Sequence, residues 1–117
     1  MKSGVFMEKL SVCEEQILLC VMQMKKASGL RDVINGVNER YGHDWKTQTV
    51  STFLSRTVKK GYLKATGKGK STLYYPVNTL EEYQKEKLQK LLEELFDDDT
   101  ELLLRCLNEL ERASETT

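Results

Sequence analysis

Apolar positions recur at helical spacing through the first half of the chain. Between Glu14 and Lys26 they include Ile17, Leu18, Val21, Met22 and Met24, nearly all round the helix, which predicts a buried helix. Ser28-Gly29 interrupts the pattern, and Ser28 is placed to N-cap the second helix. Leu30, Val33, Ile34, Val37 and Tyr41 then repeat at i, i+3, i+4, i+7 and i+11, one stripe of an amphipathic second helix. Gly42-His43-Asp44 reads as a turn, and Trp45 is expected to plug the core behind it. Thr47 is placed to cap a third helix from Gln48 to about Lys60, ended by Gly61.

The period then changes. Tyr62 to Thr66 and Thr72 to Val77 are strand-like, and they flank Gly67-Lys68-Gly69-Lys70-Ser71. This predicts a β-hairpin with a basic tip, its second strand stopped by Pro76. From Thr79 to Phe96 the chain returns to a leucine-rich helix. Asp97-Asp98-Asp99-Thr100 interrupts that helix and caps a last one, Glu101 to about Ala113, before a frayed Ser114-Glu115-Thr116-Thr117 tail. Helix–helix–helix–hairpin is the winged helix-turn-helix plan. The fold expected is mainly α with a small β-hairpin wing: a winged domain over residues 8–77 and a helical region over 78–117.

Charge sharpens this picture. Lys plus Arg and Asp plus Glu are both 18, so the net charge is zero. The charges are nonetheless segregated. Residues 46–70 hold Lys46, Arg56, Lys59, Lys60, Lys64, Lys68 and Lys70 and no acid. Residues 71–117 hold twelve acids against five bases. A basic block inside a neutral chain is a candidate polyanion site that the overall balance conceals. The third helix lies in that block. At 100° per residue, Val50, Phe53, Leu54 and Thr57 share one side, Gln48, Thr52, Ser55 and Lys59 lie opposite, and Ser51 and Arg56 flank the outer face. Short polar and amide side chains reach base edges and cations hold phosphates, so this is a face suited to reading DNA. Gln48 is suited to a bidentate contact with adenine, and the Thr52 methyl to a thymine methyl. Thr47 and Thr49 belong to the same first turn. Arg56, Lys59, Lys60, Lys68 and Lys70 are the expected phosphate contacts.

The run from Trp45 to Leu63 resembles the penicillinase repressor family, the BlaI/MecI group with its copper-responsive CopY-like branch. The residues that carry the resemblance are Leu10-Ser11 with Glu14, Asp32-Val33-Ile34, Trp45, Thr49 to Arg56, Lys59 to Leu63 and Tyr74-Tyr75-Pro76-Val77. Glu15 and Met22 stand where tryptophans are common in the family, and Thr57 where it has an apolar residue. The resemblance implies a homodimeric transcriptional repressor on a palindromic operator of double-stranded DNA, in an antibiotic or stress response. It places DNA contacts at Gln48, Ser51, Thr52 and Arg56. It also implies a C-terminal dimerisation arm, here Leu88, Leu91, Leu92, Leu95, Phe96, Leu103, Leu107 and Leu110. The resemblance also brings in a membrane sensor-protease that cuts this arm, but the pair aligned with the family's scissile Asn-Phe is Cys106-Leu107, so a protease of the usual specificity is not expected to recognise it and the inducing route is expected to differ. The Cys-x-Cys ending of the copper-responsive branch is missing.

Other chemistry finds little footing. Of 117 residues 39% are hydrophobic and 31% charged, which excludes wholesale disorder. No apolar run approaches the length of a membrane span, and Met1 to Lys9 lacks the apolar core of a signal peptide. Cys13, Cys20 and Cys106 form an odd set without CxxC spacing, which predicts free thiols and a cytoplasmic location. Cys13 and Cys20 are expected as small core residues. His43 is the single histidine, so neither a zinc site nor a catalytic dyad is expected. Gly69-Lys70-Ser71 lacks the earlier glycine of a P-loop, Lys64 occupying its place. Paired glutamates such as Glu93-Glu94 diverge on a helix, so no acid–base pair, no enzyme activity and no cofactor are expected. Two other functions fit the basic face: a protein-interaction module for an acidic partner, and an RNA binder stacking on Tyr62, Tyr74 and Tyr75. The second is the poorer in aromatic residues.

Overall fold

A computed structural model of the chain describes residues 8–115. The elements run α1 (Val12–Met24), β1 (Ser28–Gly29), α2 (Leu30–Tyr41), α3 (Thr47–Lys59), β2 (Leu63–Thr66), a 3-10 turn (Gly69–Ser71), β3 (Leu73–Pro76), α4 (Leu80–Leu95) and α5 (Thr100–Glu115). The chain divides into two compact units, one running through Leu80 and one beginning at Glu81. Residues 1–7, most of the stretch expected to lack a signal peptide, and Thr116-Thr117 of the tail lie outside the described residues.

In the first unit α1 is the central helix. It packs on α2, α3 and β3, which explains its apolar residues on nearly every side. Ser11 starts it with a capping box: its Oγ accepts from Glu14 N at 3.2 Å, and Glu14 Oε1 accepts from Ser11 N at 2.9 Å. Ile17, Leu18 and Val21 from α1, Val33 and Val37 from α2, Val50 and Leu54 from α3 are wholly buried, with Leu63 nearly so. Gly36 lets α1 and α2 approach closely. A Cβ on it would stand 2.7 Å from Cys20 Sγ and 2.9 Å from Met24 Cε.

Three expectations are corrected here. Ser28 does not cap α2; Gly29 occupies the N-cap position without a side-chain bond. Ser28 is instead buried in β1, opposite Tyr74 of β3, and the single proton of its hydroxyl is shared between the Met24 sulfur and the Lys26 carbonyl. The hairpin is therefore part of a three-stranded antiparallel sheet, ordered β1-β3-β2. Thr47 does not cap α3 either. It is the first helical residue, and Lys46 at the N-cap makes no side-chain cap bond. Trp45 is half-buried, a bracket against the turn and α3 rather than a core plug.

The wing turns tightly at Gly67, whose φ is +90° and whose added Cβ would meet the Ser71 carbonyl oxygen at 2.5 Å. Pro76 is the last residue of β3, opposite Leu63, and Val77 N still donates to Tyr62 O at 3.0 Å. In the second unit, α4 ends in a left-handed Asp97-Asp98 pair, and Asp99 Oδ1 caps α5 by accepting from Leu102 N at 3.0 Å. α5 continues through Ser114 and Glu115, where the sequence predicts fraying.

Candidate nucleic-acid interface

The inward side of α3 is as its periodicity predicts. Val50, Leu54 and Thr57 are completely buried, and Phe53 is half-buried against the Trp45 ring. Thr57, standing where the family has an apolar residue, satisfies its hydroxyl by donating to the Phe53 carbonyl at 2.7 Å. With the inner side fixed, the opposite side faces solvent. Thr47, Gln48, Ser55, Arg56 and Lys59 are exposed, while Thr49, Ser51 and Thr52 are half-buried. Thr52 donates its hydroxyl back to the Gln48 carbonyl at 2.9 Å. Lys68 and Lys70 are exposed at the wing tip, on either side of Gly69 in the 3-10 turn region. No acid lies between Trp45 and Leu80, so nothing on this stretch neutralises its cations from within the sequence.

Lys60 leaves this set. Its ammonium lies 2.7 Å from Glu14 Oε1 and also donates to the Lys9 carbonyl at 3.1 Å. Glu14 is buried at 2% exposure, so removing Lys60 would leave a carboxylate without its counter-charge. Burial alone pushes the Glu14 carboxyl up. The Lys60 ammonium and the Ser11 donors outweigh it and hold the group below its ordinary value. Beside this pair, Tyr62 donates from its hydroxyl to the Glu8 carbonyl at 2.8 Å. The junction between α3 and the wing is thus fastened to the strand of chain that leads into α1.

Spacing along the sequence missed two features. The Glu14–Lys60 pair joins residues 46 apart, and no local period announces it. The other is Asn38, whose carboxamide bonds both polar groups of the Trp45 main chain. The available signal was an amide in the last turn of α2, one turn on from buried Ile34, where a polar side chain needs partners.

Remaining candidates settle into structural places. His43 Nε2 lies 2.6 Å from Gln16 Oε1, and the imidazole stacks on Trp45. All three cysteines are free; Cys20 is buried, with its thiol pushed up by burial against the opposing field of Arg40, whereas Cys13 is only half-buried. Among the described residues no group of three or more His, Cys, Asp or Glu is arranged to hold a metal ion, and no helix is long and apolar enough to cross a membrane.

Three packed helices closed by a small antiparallel sheet, with a polar-to-cationic third helix beside a basic wing, define a winged helix-turn-helix protein. The chain belongs to the penicillinase repressor family, whose model matches residues 10–117. The family is one of transcriptional regulators that bind DNA, not of enzymes. Among solved structures, the complex structure of hsRosR-S1 is similar, with a TM-score of 0.54 and 19% identity over 89% of this chain and 94% of that one. Another, of HOP2, described as showing DNA recognition and protein interaction domains, matches 54% of this chain and 95% of that one, with a TM-score of 0.47 and 19% identity. No curated protein matches the chain significantly.

Proposed function

We propose that this protein is a homodimeric transcriptional repressor that occupies a palindromic operator, with residues 8–77 as the DNA-binding domain and 78–117 as the dimerisation region. The observation that carries this reading is the outward side of α3. It is amide and hydroxyl at its start, cationic at its end, free of acids, and held on a unit with its own core. Gln48 and Thr52 read base edges; Thr47, Thr49, Ser51 and Ser55 line the same surface; Arg56, Lys59, Lys68 and Lys70 hold phosphates. Lys60 holds Glu14 instead. The twelve acids downstream of Ser71 belong to the dimerisation region rather than to the DNA-binding domain. The repressor works in the cytoplasm in an antibiotic or stress response; because Cys106-Leu107 stands at the family's scissile pair, a membrane sensor-protease of the usual specificity does not cut it, and its inducing route differs from that of the β-lactam-responsive members.

The test begins by selecting a preferred duplex from a random-sequence pool and titrating it against a scrambled duplex. Tight binding to a palindrome with a steep salt slope is expected. Arg56→Ala should weaken binding to every duplex and flatten log K against log salt by about one unit. Gln48→Ala should cost about 1–3 kcal/mol at one base pair and leave scrambled-duplex binding nearly intact. Equal affinity for all duplexes would overturn the reading. Intact mass after co-expression with a neighbouring sensor-protease and addition of a β-lactam should stay uncut; a specific cut within residues 101–113 would restore the family's ordinary release.

A further inference from the structure

The helix that presents Gln48 and Thr52 begins without a side-chain cap of its own. Its start is held from the neighbouring helix. Asn38 Oδ1 accepts from Trp45 N at 3.0 Å, and Asn38 Nδ2 donates to Trp45 O at 3.1 Å. The main-chain carbonyl of the same residue accepts from Gly42 N, and from His43 N at 3.2 Å. One residue of α2 therefore fastens both ends of the turn that leads into α3. The Trp45 ring lies flat against the His43 imidazole, with centroids 4.0 Å apart and planes 8° from parallel, and it leans on Phe53 of α3 at 5.1 Å. His43 in turn donates from Nε2 to Gln16 Oε1 of α1 at 2.6 Å. The turn is braced from all three helices, and Asn38 supplies the bonds that fix its backbone.

Resting on the repressor reading, we infer that Asn38 is a positioning residue for sequence recognition: it sets where α3 starts, and so where Gln48 and Thr52 meet base edges. Recognition and affinity differ in their tolerance of displacement. A bidentate amide–base contact needs heavy-atom distances of roughly 2.7–3.2 Å and near-linear geometry. Arg and Lys on long stems follow a phosphate through shifts of about an ångström or more. Loosening the turn therefore erodes discrimination first and leaves charge-driven binding in place.

The chain carries its own probe, because Trp45 is its single tryptophan. Asn38→Ala is compared with wild type on the selected duplex and a scrambled duplex, across a salt series, with Trp45 emission and helical circular dichroism recorded alongside. The expected result is a fall of roughly tenfold or more in the ratio of selected to scrambled affinity. Scrambled-duplex affinity, salt slope and helix content should hold while Trp45 emission changes. Asn38→Ser is uncharged and keeps a hydroxyl, but is too short to reach both Trp45 N and Trp45 O; it should fall between wild type and Asn38→Ala, and it carries the test should Asn38→Ala not fold. An unchanged ratio with altered Trp45 emission would overturn the inference. So would equal losses on both duplexes, or a salt slope flattened by about one unit, which would make Asn38 a direct phosphate contact. A wild-type protein without any duplex preference would fail the repressor reading itself before a variant is made, and the inference with it.

Discussion

In the unit that runs through Leu80, Ile17, Leu18, Val21, Val33, Val37, Val50 and Leu54 are sealed from solvent. In the unit that begins at Glu81, the described residues include only Tyr83 and Leu103 as buried apolar side chains. Leu95 and Leu110 stand 69% and 67% exposed, with Leu88, Leu91, Leu102, Leu104 and Leu107 also open to water. The second region is the richer in leucine, nine in 37 residues against eight in 80, yet it seals far less from water. The first closes a core from three helices and a sheet. The second has two helices, α4 and α5, and two helices leave an apolar side uncovered. Half-buried Leu92 and Phe96 and exposed Leu88, Leu91, Leu95, Leu107 and Leu110 are the surface the proposed dimer would cover. Leu103, expected among the dimer residues, is already buried within the single chain, so it leaves that surface.

The contrast is most directly broken by charging the second unit. Leu107→Glu with Leu110→Glu should leave the winged unit folded, shift sedimentation from dimer to monomer, and lower operator affinity by about a hundredfold or more as the two half-sites lose their linkage. A dimer that survives both changes would move the interface to another surface.

A smaller effect is expected from the buried Glu14–Lys60 pair of the first unit. Glu14→Gln should cost about 1–3 kcal/mol, because Lys60 then keeps a weaker partner and the capping box is weakened with it. The Glu14 pKa is lowered in the fold. Its contribution is therefore present above the unfolded carboxylate range and disappears as pH falls through the folded value. Urea midpoints recorded from neutral to acidic pH should decline less steeply in Glu14→Gln than in wild type. Parallel declines would show that the pair does not govern acid stability. Lys60→Gln should destabilise the fold yet leave the DNA salt slope unchanged, which separates it from Arg56.

The smallest change tests how tightly the first core is fitted. Gly36→Ala gains helix propensity of up to about 1 kcal/mol, but its methyl meets Cys20 Sγ and Met24 Cε inside contact distance. Net destabilisation of about 1 kcal/mol is expected, with Cys20→Ala restoring most of it in the double variant. A more stable single variant would mean that α1 and α2 separate at little cost.

The features legible in the sequence were those with a local period. α2 and α3 showed their buried stripes, the glycine-bounded lysines showed the wing, and the Asp97–Thr100 turn showed where α5 is capped. Ser28-Gly29 looked like a cap because two residues carry no strand pattern; only their partners Tyr74 and Leu73 make them β1. Lys60 looked like one more cation of a basic run, since its carboxylate lies on another helix. For Asn38 the sequence offers only an amide in the last turn of α2. Its carboxamide bonds the main-chain N–H and C=O of Trp45, seven residues on, and a side-chain pattern does not name main-chain partners. Of the candidate interface, the outward residues of α3 were readable and the fastenings that aim them were not.

At the wing, shape and charge are set by different residues. Gly67 is held at φ +90° with no room for a side chain, while Lys68 and Lys70 project into solvent from the same tip. Substitution can therefore move the tip from cationic through neutral to acidic without redrawing its backbone. For a repressor of the proposed kind, the two lysine positions would be a dial on how often the operator is vacated, and so on the leak of the gene beneath it, adjustable in single-charge steps.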